Sequence, residues 1–286
     1  MTVTGALAAP LRACAEGAEA PNLALMHLLS CASSEADAKC ALEDSIARTP
    51  TGSDARRRLG QMASLWRERP SAYALVHRMH ALANSDTDWR RTFDDATQLS
   101  PEAGVALYSL GDTNLLATAT QELVELMRRW ALLRHDSVVL DLGCGIGRVA
   151  AAIAPYVARV IALDVSPEMA RLAAERTRHS DNISVVVGEG LNLAILADAR
   201  FDLVLAIDCF PYLVASGVAA AHVAESARVL NAGGRLLVMN WSYRGDEARD
   251  ARDIISLAEA HGFRFLRNES RPLSLWDGRA FLLAKK

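Results

Sequence analysis

The chain has no uninterrupted apolar run near the roughly 18 residues of a membrane helix, because Arg148 and Arg159 break its most apolar stretch. It has no excess of positive charge either. Its 31 basic and 34 acidic residues give a formal net charge of −3, without the field that binds a phosphate backbone. Cysteine is sparse and irregular: Cys14, Cys31, Cys40, Cys144 and Cys209 are an odd number without metal-ligand spacing. They read as reduced thiols in a cytoplasmic protein, and no metal site is expected. The opening MTVTGALAAPLRACAEG lacks a basic start and a sustained apolar core, so no signal peptide is expected. Membrane and nucleic acid are therefore not expected partners. What is present is 51% apolar and 23% charged residues, the balance of a globular protein with a sizeable core.

Residues 1–134 read as helices. Apolar positions in PNLALMHLLSC (21–31) recur at helical spacing, with Pro21 suited to a first turn. Ser34 precedes EADAKCALEDSIAR as an N-cap, and Pro50-Thr-Gly-Ser53 breaks the pattern before DARRRLGQMASLWRE. Pro70-Ser71 opens a further helix, Ser100-Pro101-Glu102 a short one ending near Gly111, and Asp112 a long one through Leu133. From residue 137 short apolar runs alternate with helices. The expected strands are 138–142, 160–164, 183–188, 201–208, 235–241, 263–266 and 279–284, with helices starting at Gly147, Ser166, Val214 and Asp246. Strands apolar on both faces and separated by helices indicate an α/β, doubly wound, mostly parallel seven-stranded sheet. The last two leave no room for a helix between them, which predicts an antiparallel edge.

The first strand runs into DLGCGIGR (141–148), where Gly143, Gly145 and Gly147 are spaced two apart. The dinucleotide fingerprint has a longer second interval to seat a pyrophosphate. Here the turn is tighter, and Asp141 at the strand end would oppose a phosphate. A ligand carrying a cation fits better. Asp164, ending the second strand, is placed to accept ribose hydroxyls. GEGLN (188–192) after the third offers the Glu189 carboxylate and the Gly190 N–H where an adenine edge is read.

DLGCGIGR, LDVSPEM, GEGLN, FDLVLAID and RVLNAGGRLLVMNW, in this order and spacing, resemble the class I S-adenosylmethionine-dependent methyltransferases across roughly residues 112–286. The resemblance implies that Asp141, Gly143, Cys144, Gly145 and Gly147 lie along the methionine part of S-adenosylmethionine. Asp164 and Val165 would hold the ribose, and Glu189 and Gly190 the adenine. Asp208 would edge the methionine moiety or the acceptor. Tyr108, just before the Gly111-Asp112 break, is placed either to reach the methionine carboxylate or to pack in the core. The expected organisation is a helical cap, residues 1–110, on a catalytic domain, residues 111–286, with a small-molecule acceptor.

The tetrapeptide Asn/Asp-Pro-Pro-Tyr/Phe of the family's adenine and glutamine methylases is replaced by DCFPYL (208–213), which argues against those acceptors. Phe210, Tyr212, Trp241 and Tyr243 follow strand C-termini, where open α/β sheets bind ligands, and Trp276 precedes the last strand. These five are the expected acceptor wall, with Asp208, Trp241 and Tyr243 as candidate catalytic groups. Each aromatic also has a plain core-packing reading. Two alternatives stand beside methyl transfer to nitrogen or oxygen. One is use of the cofactor's aminocarboxypropyl chain; the other is a cofactor-binding regulator without turnover.

Overall fold

The computed structural model describes residues 5–85 and 88–286. The chain divides into two compact units, and neither is one continuous piece of sequence. The first gathers Met1–Asp86, Asp95–Ala119 and Ser274–Asp277; the second gathers Thr87–Asp94, Thr120–Leu273 and Gly278–Lys286.

The chain begins with helices α1 (Gly5–Glu16), α2 (Pro21–Cys31), α3 (Glu35–Arg48), α4 (Asp54–Glu68), α5 (Ala72–Ser85), α6 (Trp89–Leu99), α7 (Pro101–Val105) and α8 (Thr113–Arg129). Their starts follow local chemistry. Ser34, Ser53 and Ser100 each accept a backbone N–H from the first turn of the helix they precede, and Pro21 and Pro101 occupy first-turn positions. α1, α2 and α4 bury Leu7, Leu11, Leu25, Leu28, Leu59 and Met62 in a common apolar core. The long helix from Asp112 is shorter than its pattern suggested. It ends at Arg129, and Ala131 reverses the chain with a left-handed φ of 51°.

The second unit is built on β1 (Val138–Leu142), α9 (Arg148–Ile153), β2 (Arg159–Asp164), α10 (Pro167–Thr177), β3 (Ile183–Val187), β4 (Phe201–Ile207), α11 (Phe210–Ala215), α12 (Ala219–Val229), β5 (Leu230–Met239), α13 (Glu247–Ala260), β6 (Phe263–Glu269) and β7 (Ala280–Lys285). The sheet runs β3-β2-β1-β4-β5-β7-β6. β1 to β5 are parallel, and β7 pairs antiparallel with both β5 and β6. The strand order reverses at β1, which pairs with β2 on one side and β4 on the other. A crevice at the C-terminal ends of these strands is where such sheets take ligands. The helix expected from Val214 is instead two, α11 and α12, because Gly217 takes a φ of 72° between them.

Gly147, at φ 72°, ends the glycine-rich turn and caps α9; a Cβ there would stand 2.9 Å from the Ala173 Cβ on α10. Gly147→Ala should therefore destabilise the protein by about 2–4 kcal/mol, through left-handed strain and overpacking. Adding Ala173→Gly should recover part of the loss in urea unfolding. An unchanged midpoint in the single variant would contradict the close approach.

Candidate functional site

Three backbone turns converge beyond β1, β2 and β3. The N–H groups of Gly143 and Cys144 donate to the Leu163 carbonyl at 2.8 and 3.0 Å, which ties the glycine turn to β2. Asp164 then clamps it: Oδ2 accepts the Gly145 N–H at 2.7 Å and Oδ1 the Ser166 N–H at 2.9 Å. This carboxylate is 6% exposed. Burial raises its pKa above the ordinary value, opposed by the N–H groups of Ser166, Gly145 and Val165. Asp141 is 1% exposed. Burial pushes its pKa up to about 7, although the Arg148 guanidinium nearby pulls the other way. Arg148 is itself buried and donates to Thr120 Oγ1 at 3.0 Å. Asp141 Oδ2 is buried with no hydrogen-bond partner among the described residues.

The tips of β4 and β5 form a second polar group. Asp208 and Asn240 both adopt left-handed backbone, φ 61° and 60°, conformations that Asp and Asn tolerate best. Asn240 Nδ2 donates to Asp208 Oδ1 at 2.9 Å, and Asn240 Oδ1 accepts the Arg279 N–H at 3.0 Å. Tyr243 and Tyr212 meet edge-on at 5.8 Å, in the field of the Asp208 carboxylate. Desolvation, and next the Asp208 carboxylate, raises the pKa of both tyrosines above the ordinary phenol value.

The start of α6 packs against this end of the sheet. Asp94 Oδ1 accepts from Ser166 Oγ at 2.5 Å and from the Glu168 N–H at 3.2 Å, and Arg90 donates to the Gly188 carbonyl at 3.2 Å. Trp89 Nε1 donates to Ser216 Oγ at 2.7 Å. Its ring meets Tyr212 edge-on at 4.9 Å, as does Phe93.

The methyltransferase domain family matches residues 139–234, the segment that carries the glycine turn, Asp164 and Asp208. The sheet unit thus contains a segment similar to that methyltransferase domain family. The 2-methyl-6-phytyl-1,4-hydroquinone methyltransferase of Synechocystis sp. is 30% identical over 129 residues, 44% of this chain and 39% of that protein. The demethylmenaquinone methyltransferase of Thermobifida fusca is 34% identical over 113 residues, 37% of this chain and 44% of that protein. This chain thus spans about four-tenths of the length of these curated relatives. Among solved structures, phosphoethanolamine N-methyltransferase 1 of Haemonchus contortus, in complex with phosphoethanolamine and S-adenosylhomocysteine, shares the fold. It has a TM-score of 0.55 at 17% identity, covering 69% of this chain and 48% of that one.

Within the sheet unit, Asp141 lies in β1 and Asp164 ends β2; Gly143, Cys144, Gly145 and Gly147 follow β1, Val165 follows β2, and Glu189 and Gly190 follow β3. Glu189 is exposed. Phe210 and Trp241 are placed differently from the acceptor wall expected of them. Their rings stack at 4.9 Å and both are buried in the core, so their apolar faces are already covered. Tyr108 and Trp276 belong to the other unit, where they stack on each other at 5.8 Å. Cys209 is no candidate nucleophile, since burial, then Asp164, pushes its thiol pKa far above the ordinary value. The sequence reading passed over Trp89, Phe93 and Asp94. The only local signal was the helical i,i+4 pairing of Trp89 with Phe93.

Proposed function

We propose that the protein transfers a methyl group from S-adenosylmethionine to a small-molecule acceptor in the cytoplasm, as an enzyme of small-molecule or secondary metabolism. The observation that carries this reading is the carboxylate-clamped glycine turn, with the partnerless oxygen of Asp141 buried beside it. That oxygen is an acceptor suited to an ammonium, and the Asp164 carboxylate is an acceptor suited to ribose hydroxyls. These features fit the cofactor. Asp141 and the turn from Gly143 to Gly147 would hold its methionine end, Asp164 and Val165 the ribose, and Glu189 and Gly190 the adenine. Bound S-adenosylmethionine supplies an electrophilic methyl on a sulfonium centre. The protein's own share is alignment: the turn would fix the donor end, while Asp208, held by Asn240, would face the acceptor side and take a proton from it. A neutral acceptor lone pair is the requirement this proton transfer meets.

The curated relatives named above are, by their names, methyltransferases of a hydroquinone and of demethylmenaquinone, which supports a small organic acceptor here. No helix among the described residues is long and apolar enough to cross a membrane. We further propose that residues 1–110 act as a cap needed for turnover more than for cofactor binding.

Titration with S-adenosylhomocysteine, followed by product analysis with candidate acceptors, tests the reading. Release of S-adenosylhomocysteine supports methyl transfer. Release of methylthioadenosine would assign aminocarboxypropyl chemistry instead. Binding without any product would leave a cofactor-binding regulator.

A further inference from the structure

The chain is only 6% aromatic, yet Trp89, Phe93, Tyr212 and Tyr243 gather in ring contact at the tips of β4 and β5, in front of the buried pair Phe210 and Trp241. Unlike that pair, these four are not core residues. Trp89, Phe93 and Tyr212 are half-buried, and Tyr243 is 59% exposed. Soluble proteins seldom leave such a cluster open to water without a ligand to cover it. The group beside it is a carboxylate. Asp208 is half-buried and accepts a hydrogen bond from Asn240, a neutral donor.

These parts act in one electrostatic direction. Aromatic faces carry negative potential and attract cations, and a carboxylate next to them adds to the same field. The pKa values of Tyr212 and Tyr243 are raised first by desolvation and then by the Asp208 carboxylate, and the second cause has that sign. Such a surface repels phenolate, enolate and carboxylate acceptors.

We infer that Trp89, Phe93, Tyr212 and Tyr243 with Asp208 form the acceptor subsite, and that it takes an organic amine bound as its ammonium ion. The inference rests on the methyltransferase reading above and narrows it from nitrogen or oxygen to nitrogen. The chemistry balances without a further reagent. One N–H bond of the ammonium breaks and its proton passes to the Asp208 carboxylate. The freed nitrogen lone pair then forms the N–C bond to the donor methyl, and the C–S bond breaks with both electrons going to sulfur. Trp89 and Phe93 become specificity residues. Trp89 is pinned by Ser216, and its ring and that of Phe93 both pack against Tyr212.

The test is calorimetric binding to the full chain saturated with S-adenosylhomocysteine, using an isosteric pair: choline, which is charged, and 3,3-dimethyl-1-butanol, which is not. Catechol serves as the phenolic probe. Choline should bind at least ten-fold more tightly than its neutral isostere. Asp208→Asn and Trp89→Ala should each remove most of that preference, and Trp89→Phe, which keeps a ring in place, should retain part of it. The affinity ratio of S-adenosylmethionine to S-adenosylhomocysteine should not change in Trp89→Ala. Equal binding of the isosteres, or tighter binding of catechol, overturns the inference. A Trp89→Ala protein that loses S-adenosylmethionine but keeps S-adenosylhomocysteine also overturns it, by assigning the rings to the sulfonium. Failure of the wild type to bind S-adenosylhomocysteine at all would count against the methyltransferase reading itself.

Discussion

Between pH 4 and pH 8, the stability of the cofactor-free protein should fall relative to its Asp141→Asn variant by on the order of 4 kcal/mol. Asp141 titrates near 7 in the folded protein because it is buried, whereas an ordinary aspartate titrates at 3.8. In that window the native state holds a proton that the unfolded chain has released, so raising the pH favours unfolding. The loss begins above the unfolded value and is complete above the folded one. Comparison with the variant isolates this residue. His80 and His222, whose folded pKa values are lowered by burial, favour the native state as pH rises through the same region and contribute equally to both proteins. Urea unfolding at intervals across the range measures the difference, and parallel curves would show that Asp141 is ionised throughout. A linked expectation concerns binding. The cationic methionine end of S-adenosylmethionine should drive Asp141 to ionise, releasing a proton below pH 7. The calorimetric enthalpy should then change with the ionisation enthalpy of the buffer.

Asp164→Ala is expected to reduce S-adenosylhomocysteine affinity at least 100-fold and to destabilise the fold as well, by about 2–5 kcal/mol. From the sequence, Asp164 is a residue at a crevice surface whose loss touches only the ligand. In the structure it accepts the Gly145 and Ser166 N–H groups in a buried setting, so truncation strands both donors. Asp164→Asn keeps one acceptor oxygen and should fall between wild type and Ala on both measures. Calorimetric titration together with thermal unfolding separates the two losses. A variant that melts like wild type but does not bind would confine Asp164 to the ligand.

The difference between these two views shows where sequence is informative. The glycine turn was legible because backbone geometry dictates its composition: a side chain at Gly143 would stand 2.7 Å from the Cys209 sulfur, and one at Gly147 would meet α10. The strands were legible because a sheet covered on both faces needs apolar runs, and the antiparallel edge followed from a connection too short for a helix. Burial was not legible. Phe210 and Tyr212 stand two residues apart on the same turn, yet one fills the core and the other faces the aromatic cluster. That distinction depends on which partner each ring meets, Trp241 for the first and the start of α6 for the second. Tyr108 and Trp276 likewise find each other across most of the chain, which no local pattern announces.

The place of β7 in the sheet has a consequence for how the protein is made. β6 emerges from the ribosome before β7, yet it borders only β7, which lies between it and β5. Until β7 has been synthesised, β6 has no neighbour to pair with, and β5 exposes a bare edge carrying Leu236, Leu237 and Val238. The nascent chain must pass through a stage with one unpaired strand, β6, and one bare edge, on β5, and chaperones that shield apolar strand edges would act on it then.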